Sequence, residues 1–113
     1  MKIVTNRPVA QGDMLIIPIS AIPKTAKAAK AKGEHFILAH SETGHHHVIE
    51  RVKAEVYEAA DNAFIAYVKA IAPADITHQR PFDTHETVQL VPGNYEIRRQ
   101  REYMPEGFRK AQD

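Results

Sequence analysis

Four of the seven histidines in this chain, His40, His45, His46 and His47, lie in one stretch at residues 39–50 with the sequence AHSETGHHHVIE. Apolar runs flank Thr43-Gly44 on both sides, a pattern that predicts a β-hairpin with its loop at residues 41–44. Neutral imidazole is the commonest side-chain ligand for Zn, Ni and Fe. The stretch therefore predicts a site for one of these divalent transition metals at the loop end of the hairpin.

The register of the hairpin decides which histidines share a face. We place three pairs opposite each other: His40 with His45, Leu38 with His47, and Phe36 with Ile49. Because successive strand side chains point to opposite faces, His40, His45 and His47 then lie together on one face. His78 and His85 are two further candidate ligands. The alternative interpretation is a polar mouth of the β-fold, in which these imidazoles bind backbone groups and water.

Composition excludes several classes of protein. A length of 113 residues predicts one domain, residues 1–113, and a formal net charge of +1 gives no general attraction to nucleic acid. The absence of cysteine excludes disulfides and thiolate zinc sites. No apolar run approaches the roughly 20 residues of a membrane-spanning helix, and no signal-peptide pattern opens the chain. We expect a cytoplasmic protein with no membrane partner.

Short apolar runs separated by turn signals recur along the chain. Many short strands of this kind predict an all-β fold, a small antiparallel barrel or sandwich. Pro23 before an Ala/Lys-rich run and Gly33 after it would suit one short helix at residues 24–32. The alternative is a solvated Ala/Lys loop or helical turn. The clearest strand predictions are a buried strand at 14–19, a hairpin at 51–70, and strands at 85–91 and 95–101 that pair across the tight turn 92–94.

The two termini are expected to be extended. Residues 1–12 form an N-terminal arm or edge strand, and residues 102–113 form a tail without a regular period. Arginine-rich and aromatic residues near the tail suit a protein interface. The candidates for partner binding are Arg98, Arg99, Arg101, Tyr103, Met104 and Phe108. The alternative for the arginines is pairing with nearby carboxylates such as Glu96 and Glu102.

Three motifs together resemble a family of small bacterial and phage proteins with no settled function. They are QGDxLxxP at residues 11–18, TGHxH at residues 43–47, and PGxYxxxxQREYxP at residues 92–105. The resemblance implies a compact β-rich fold and a shared histidine set: His45, His47, His78 and His85. The HxH pair also resembles cupins, although Glu50 is one position short of the cupin spacing.

Two functions follow as hypotheses. The first is a non-enzymatic structural or binding module that assembles through its extended termini with a protein partner or with copies of itself. A phage virion accessory protein of the capsid decoration or cement type fits this description, and it needs no catalytic residues. The second is a cupin-like, metal-dependent enzyme acting on a small molecule, which needs an open coordination position in a pocket.

Overall fold

The computed structural model describes residues 2–39, 46–78 and 87–99, without the side chains of residues 2 and 3. These residues form eleven strands and no helix, which confirms the predicted all-β class. They also include no helix that is long and apolar enough to cross a membrane. The strands are β1 (Lys2–Thr5), β2 (Val9–Gln11), β3 (Met14–Ile19), β4 (Lys27–Ala28), β5 (His35–Ala39), β6 (His47–Glu50), β7 (Ala54–Glu58), β8 (Ile65–Ala70), β9 (Ala74–His78), β10 (Thr87–Leu90) and β11 (Gly93–Arg99).

The strands build a sandwich of two sheets. The five-stranded sheet has the order β1-β10-β9-β6-β5, and the six-stranded sheet has the order β2-β3-β11-β8-β7-β4. Neighbouring strands are antiparallel except β1 and β10, which run parallel. The N-terminal residues form β1 and β2. β1 is an edge strand of the five-stranded sheet, and β2 is an edge strand of the six-stranded sheet.

Aliphatic rows across adjacent strands fill the space between the sheets. In the six-stranded sheet, Ile97 of β11 lies between Ile16 of β3 and Ala66 of β8, and all three are fully buried. Ile49 and Ile76 are paired in the other sheet and belong to the same core cluster. Burial of each large aliphatic side chain contributes about 1.5–3 kcal/mol. Alternation of side chains along each strand therefore sets which residues face the core.

The predicted hairpin at 51–70 is present as β7 and β8, but the predicted helix at 24–32 is wrong. Lys27 and Ala28 form β4, which pairs with Tyr57 and Glu58 of β7. The bond from Ala29 N to Val56 O, 2.8 Å, continues this pairing. The backbone groups on the side of β7 away from β8 thus pair with an Ala/Lys run whose helix propensity is only a weak preference.

The predicted pairing of the strands on either side of residues 92–94 is also wrong. β10 pairs with β9 and β1, whereas β11 pairs with β3 and β8, so the turn carries the chain from one sheet to the other. Gly93 has a φ of 153°, and the hydroxyl of buried Tyr95 donates to Val91 O at 2.6 Å. Burial raises the pKa of the Tyr95 hydroxyl. The turn signal was right, but the partner strands are set by packing beyond the turn.

The two ends of the sandwich carry different groups. The histidine end carries the turn at 11–14 between β2 and β3, together with His47, His78 and Arg99. These groups lie together because Arg99 is opposite Met14 and because His47 is opposite His78 and close to Gly12. The opposite end carries the loops at 51–53 and 71–73 and the turn at 91–93.

Candidate functional site

The hairpin between β5 and β6 has a register that differs in part from the prediction. Phe36 is opposite Ile49, as predicted, and Ile37 is opposite Val48. A bulge then shifts the ladder, so that Ala39 rather than Leu38 is opposite His47. The predicted pairing of Leu38 with His47 is wrong because a bulge places two residues opposite one. The predicted His40–His45 pair lies outside the described residues.

The structure brings together two of the five predicted histidines. His47 of β6 is opposite His78 of β9, and their rings stack with centroids 4.1 Å apart and planes 9° from parallel. His47 is 4% exposed and points toward the core, while His78 is half-buried. The other three candidates, His40, His45 and His85, lie outside the described residues. The part of the site that can be seen is therefore a stacked imidazole pair.

Gln11 completes this site, and it was not predicted as a functional residue. Its side chain is buried, its Nε2 donates to Ile76 O at 2.9 Å, and its Oε1 lies 2.8 Å from His47 Nδ1. A carbonyl oxygen only accepts, so the bond to Ile76 fixes the orientation of the amide and leaves Oε1 as an acceptor. His47 Nδ1 therefore carries a hydrogen and donates to Gln11.

This network links the two sheets. Gln11 belongs to β2 of the six-stranded sheet, whereas His47 and Ile76 belong to the five-stranded sheet. Buried polar groups that satisfy each other contribute modestly when intact, and they are costly when one partner is lost. The Gln11 side chain therefore acts as a polar clamp across the core. The QGD motif marked this position in the sequence, but it was interpreted only as a turn.

Gly12 covers the edge of the His47 ring. Its φ is 61°, and a Cβ at this position would lie 3.3 Å from His47 Cε1 and 3.5 Å from His47 Nε2. A non-glycine residue would thus meet both a strained backbone conformation and a close contact. The motif requires glycine here because the turn packs directly against the imidazole.

The stacked arrangement limits what the pair can do with a metal. A neutral imidazole with Nδ1–H has its lone pair on Nε2. Metal-binding histidines commonly have this arrangement, in which the other ring nitrogen donates its hydrogen to a neighbouring acceptor. However, the lone pairs of two nearly parallel rings lie in separate planes, so one ion about 2.0–2.1 Å from both nitrogens would be far out of plane for at least one ring. Within the described ranges, no group of three or more His, Asp or Glu side chains is arranged to hold a metal. The metal site stays a prediction.

Two of the three arginines predicted to bind a partner, Arg98 and Arg99, lie within the described residues, and both pair within the chain. Arg98 Nε donates to Glu96 Oε2 at 2.6 Å on the surface. Arg99 is more deeply placed, with its side chain 17% exposed, and its Nη2 donates to Glu58 Oε1 at 3.0 Å. The Arg98–Glu96 pair matches the expected alternative, whereas Arg99 pairs with Glu58, a carboxylate distant in sequence that was not predicted. Four of the predicted partner-binding residues lie outside the described residues: Arg101, Tyr103, Met104 and Phe108.

Comparison with known proteins gives one match. A family model described as "Domain of unknown function (DUF8820)" matches residues 10–100, which include every strand except β1 and the first residue of β2. No curated protein and no solved structure matches the chain.

Proposed function

We propose that this chain, which belongs to the DUF8820 family, is a non-enzymatic binding module that assembles with other copies of itself through its C-terminal segment, residues 102–113. The family description assigns no activity, so the argument depends on the fold and on the histidine end.

The observation that carries the proposal is the anchoring of Arg99 at the end of β11. Its backbone N donates to Phe64 O at 2.8 Å, its Nη1 donates to Ala63 O at 2.9 Å, and its Nη2 reaches Glu58. β11 is paired on both sides, with β3 and with β8, up to its last residues. The C-terminal segment thus begins from a fixed point at the histidine end, which suits a segment that binds a neighbour.

The composition of the C-terminal segment supports the same conclusion. Tyr103, Met104 and Phe108 are large apolar side chains, and each contributes about 1.5–3 kcal/mol when buried. Pro105 and Gly107 interrupt any regular strand or helix that this segment would form by itself. A neighbouring copy offers the surface that these side chains need.

The histidine end supports a structural role over a catalytic one. The His47 Nδ1–H binds Gln11, the ring face stacks on His78, and Gly12 covers the ring edge. These contacts hold the imidazole between the sheets. A cupin-like enzyme would need imidazole nitrogens that converge on one ion with a coordination position left open, and the stacked planes of this pair do not converge.

A small β-sandwich that assembles through a terminal segment suits a phage virion accessory protein of the capsid decoration or cement type, and we propose that class. Its support is the resemblance of the three motifs to small bacterial and phage proteins, together with the fixed origin of the C-terminal segment.

The test compares two full-length triple variants by light scattering and by melting temperature. The tail variant replaces Tyr103, Met104 and Phe108 with serine. The control variant makes the same replacement at three exposed apolar residues elsewhere: Val4, Val52 and Ile71.

We expect an assembled wild type, an assembled control variant, and a tail variant that is monomeric with its core still folded. A wild type that is monomeric at every concentration would overturn the proposal. So would assembly that survives in the tail variant and is lost in the control.

A further inference from the structure

The outer face of the six-stranded sheet is apolar along β3. Met14 and Ile16 point inward and are fully buried, so alternation turns Leu15, Ile17 and Ile19 outward. All three are half-buried. The outer face of an antiparallel sheet is usually polar where it meets water. We call Leu15, Ile17 and Ile19 the β3 stripe.

Neighbouring strands extend this surface. Ile17 is opposite Glu96, which is opposite Tyr67, so the row continues from an aliphatic side chain to an aromatic one. Glu96 is paired with Arg98, an ion pair on the same face. The surface around the β3 stripe thus combines apolar side chains with a carboxylate that is ion-paired with Arg98.

The edge of β3 favours contact through side chains rather than an added strand. β2 pairs with Met14, Leu15 and Ile16, and no other strand within the described residues pairs with the rest of β3 on that side. Pro18 lies in this part and has no N–H, which makes it a poor template for another strand. An occupant of this region would therefore pack on the face of the sheet.

The C-terminal segment is the occupant that the chain itself supplies. It follows residues 100 and 101, which come directly after β11, the strand that adjoins β3. The fourteen residues 100–113 could reach at most about 46 Å if fully extended, whereas a strand of six residues such as β3 spans about 20 Å. The segment is long enough to lie along the whole β3 stripe.

The direction of the chain favours a second copy. β11 runs toward the histidine end, away from the centre of its own sheet. Residues 100–104, QREYM, contain no glycine or proline to reverse the chain before Tyr103 and Met104. A neighbour can accept these side chains without such a reversal.

We infer that the β3 stripe is the acceptor surface for the C-terminal segment of a second copy of this chain. This inference rests on the proposed function, since it names the surface to which the assembling segment binds.

Disulfide trapping tests the inference, because the natural chain has no cysteine. Full-length Ile17→Cys and Phe108→Cys proteins are mixed under mild oxidation, and the crosslinked heterodimer is measured on a non-reducing gel. The matched control mixes Ile71→Cys with Phe108→Cys, since Ile71 is more exposed but lies at the opposite end. Melting temperatures confirm that each variant is folded.

We expect several-fold more heterodimer from the Ile17 pair than from the Ile71 pair, because a disulfide forms only between cysteines that approach closely. The double variant Ile17→Cys/Phe108→Cys should crosslink between chains. A crosslink within one chain would overturn the inference, because the segment would then fold on its own sheet.

The mass of the uncrosslinked proteins separates the two ideas. An assembled protein without the Ile17–Phe108 crosslink would overturn the acceptor surface and leave the proposed function standing. A protein that is monomeric throughout would overturn both.

Discussion

The two ends of this sandwich are held by different kinds of contact. At the histidine end, the buried side chain of Gln11 reaches from one sheet to His47 and Ile76 of the other. At the opposite end, the chain itself crosses between the sheets at residues 51–53, 71–73 and 91–93, and Tyr95 closes the last of these turns by a hydrogen bond to Val91 O. One end therefore depends on a polar clamp between distant residues, and the other on connections of the chain itself.

The chain therefore connects the two sheets at one end of the sandwich, and its last described strand ends at the other. The turn at the opposite end is complete in itself, and its neighbourhood leaves Val52 67% and Ile71 55% exposed. At the histidine end, the Gln11 side chain links the two sheets, and β11 ends there at Arg99. We propose that copies of the chain meet at this end, where the C-terminal segment follows in the sequence. The exposure of Val52 and Ile71 alone would have pointed to the opposite end.

Removing the polar clamp should have the largest effect. Gln11→Ala leaves His47 Nδ1–H and Ile76 O without their buried partner, so we expect the free energy of unfolding to fall by about 2–4 kcal/mol. The control is Gln89→Ala, because the amide of Gln89 binds Asp75 in a half-buried site. Urea unfolding measures both. Equal losses would show that the clamp contributes no more to stability than a half-buried hydrogen bond.

A pair of glycines isolates the contact with the imidazole. Gly12 and Gly33 have nearly the same φ, 61° and 63°, but only Gly12 has neighbours within 4 Å of an added Cβ. Both substitutions by alanine should cost about 1 kcal/mol for the backbone conformation. Gly12→Ala should cost about 1–2 kcal/mol more, because the His47–His78 pair must shift. If both variants unfold at the same denaturant concentration, the ring does not resist the added methyl group.

Tyr95→Phe should weaken the turn at the opposite end by about 1–2 kcal/mol at neutral pH, because Val91 O loses its hydroxyl donor. Burial raises the pKa of Tyr95 in the folded protein. Its contribution to stability is thus complete below the unfolded pKa of about 10 and is lost as pH rises through the folded pKa.

Unfolding measured between pH 7 and 11 checks this dependence. The wild type should lose stability above pH 10 more steeply than Tyr95→Phe. The control is Tyr57→Phe. Tyr57 is more exposed, and its pKa is raised mainly by its hydrogen bond to Glu55 and to a smaller extent by burial. An unchanged slope in Tyr95→Phe would contradict the role of the buried hydroxyl.

The smallest effect is expected at Arg98. Its ion pair with Glu96 lies on the surface, where such pairs contribute about 0–1 kcal/mol and are screened by salt. Arg98→Ala should therefore shift the melting temperature slightly at low ionic strength and hardly at all at high ionic strength. A large shift that persists in salt would mean that Arg98 has a buried role.

Local signals in the sequence predicted what depends on local contacts. The hairpin at 51–70 and the Phe36–Ile49 pair follow from turn residues and alternation within one short segment. The bulge before Ala39 and the partners of β11 do not, because they are fixed by packing between distant strands. The helix at 24–32 was wrong for the same reason, since pairing with β7 outweighs the propensity of alanine.

The residue types of the site could be predicted from the sequence, but their contacts could not. His47 and His78 were found by residue type, but their stacking depends on the pairing of β6 with β9. Gln11 was inside a recognised motif, yet its role depends on a contact between sheets that no local pattern encodes. His40, His45 and His85, with the metal they would bind, stay predictions.

Hydroxyl-radical footprinting of the wild type at two protein concentrations, one on each side of assembly, tests the central claim most directly. We expect Leu15 and Ile17 to become protected from oxidation as copies assemble, while Val52 and Ile71 react equally at both concentrations. Protection of Val52 and Ile71, with Leu15 and Ile17 unchanged, would place the contact at the opposite end and contradict assembly through the β3 stripe.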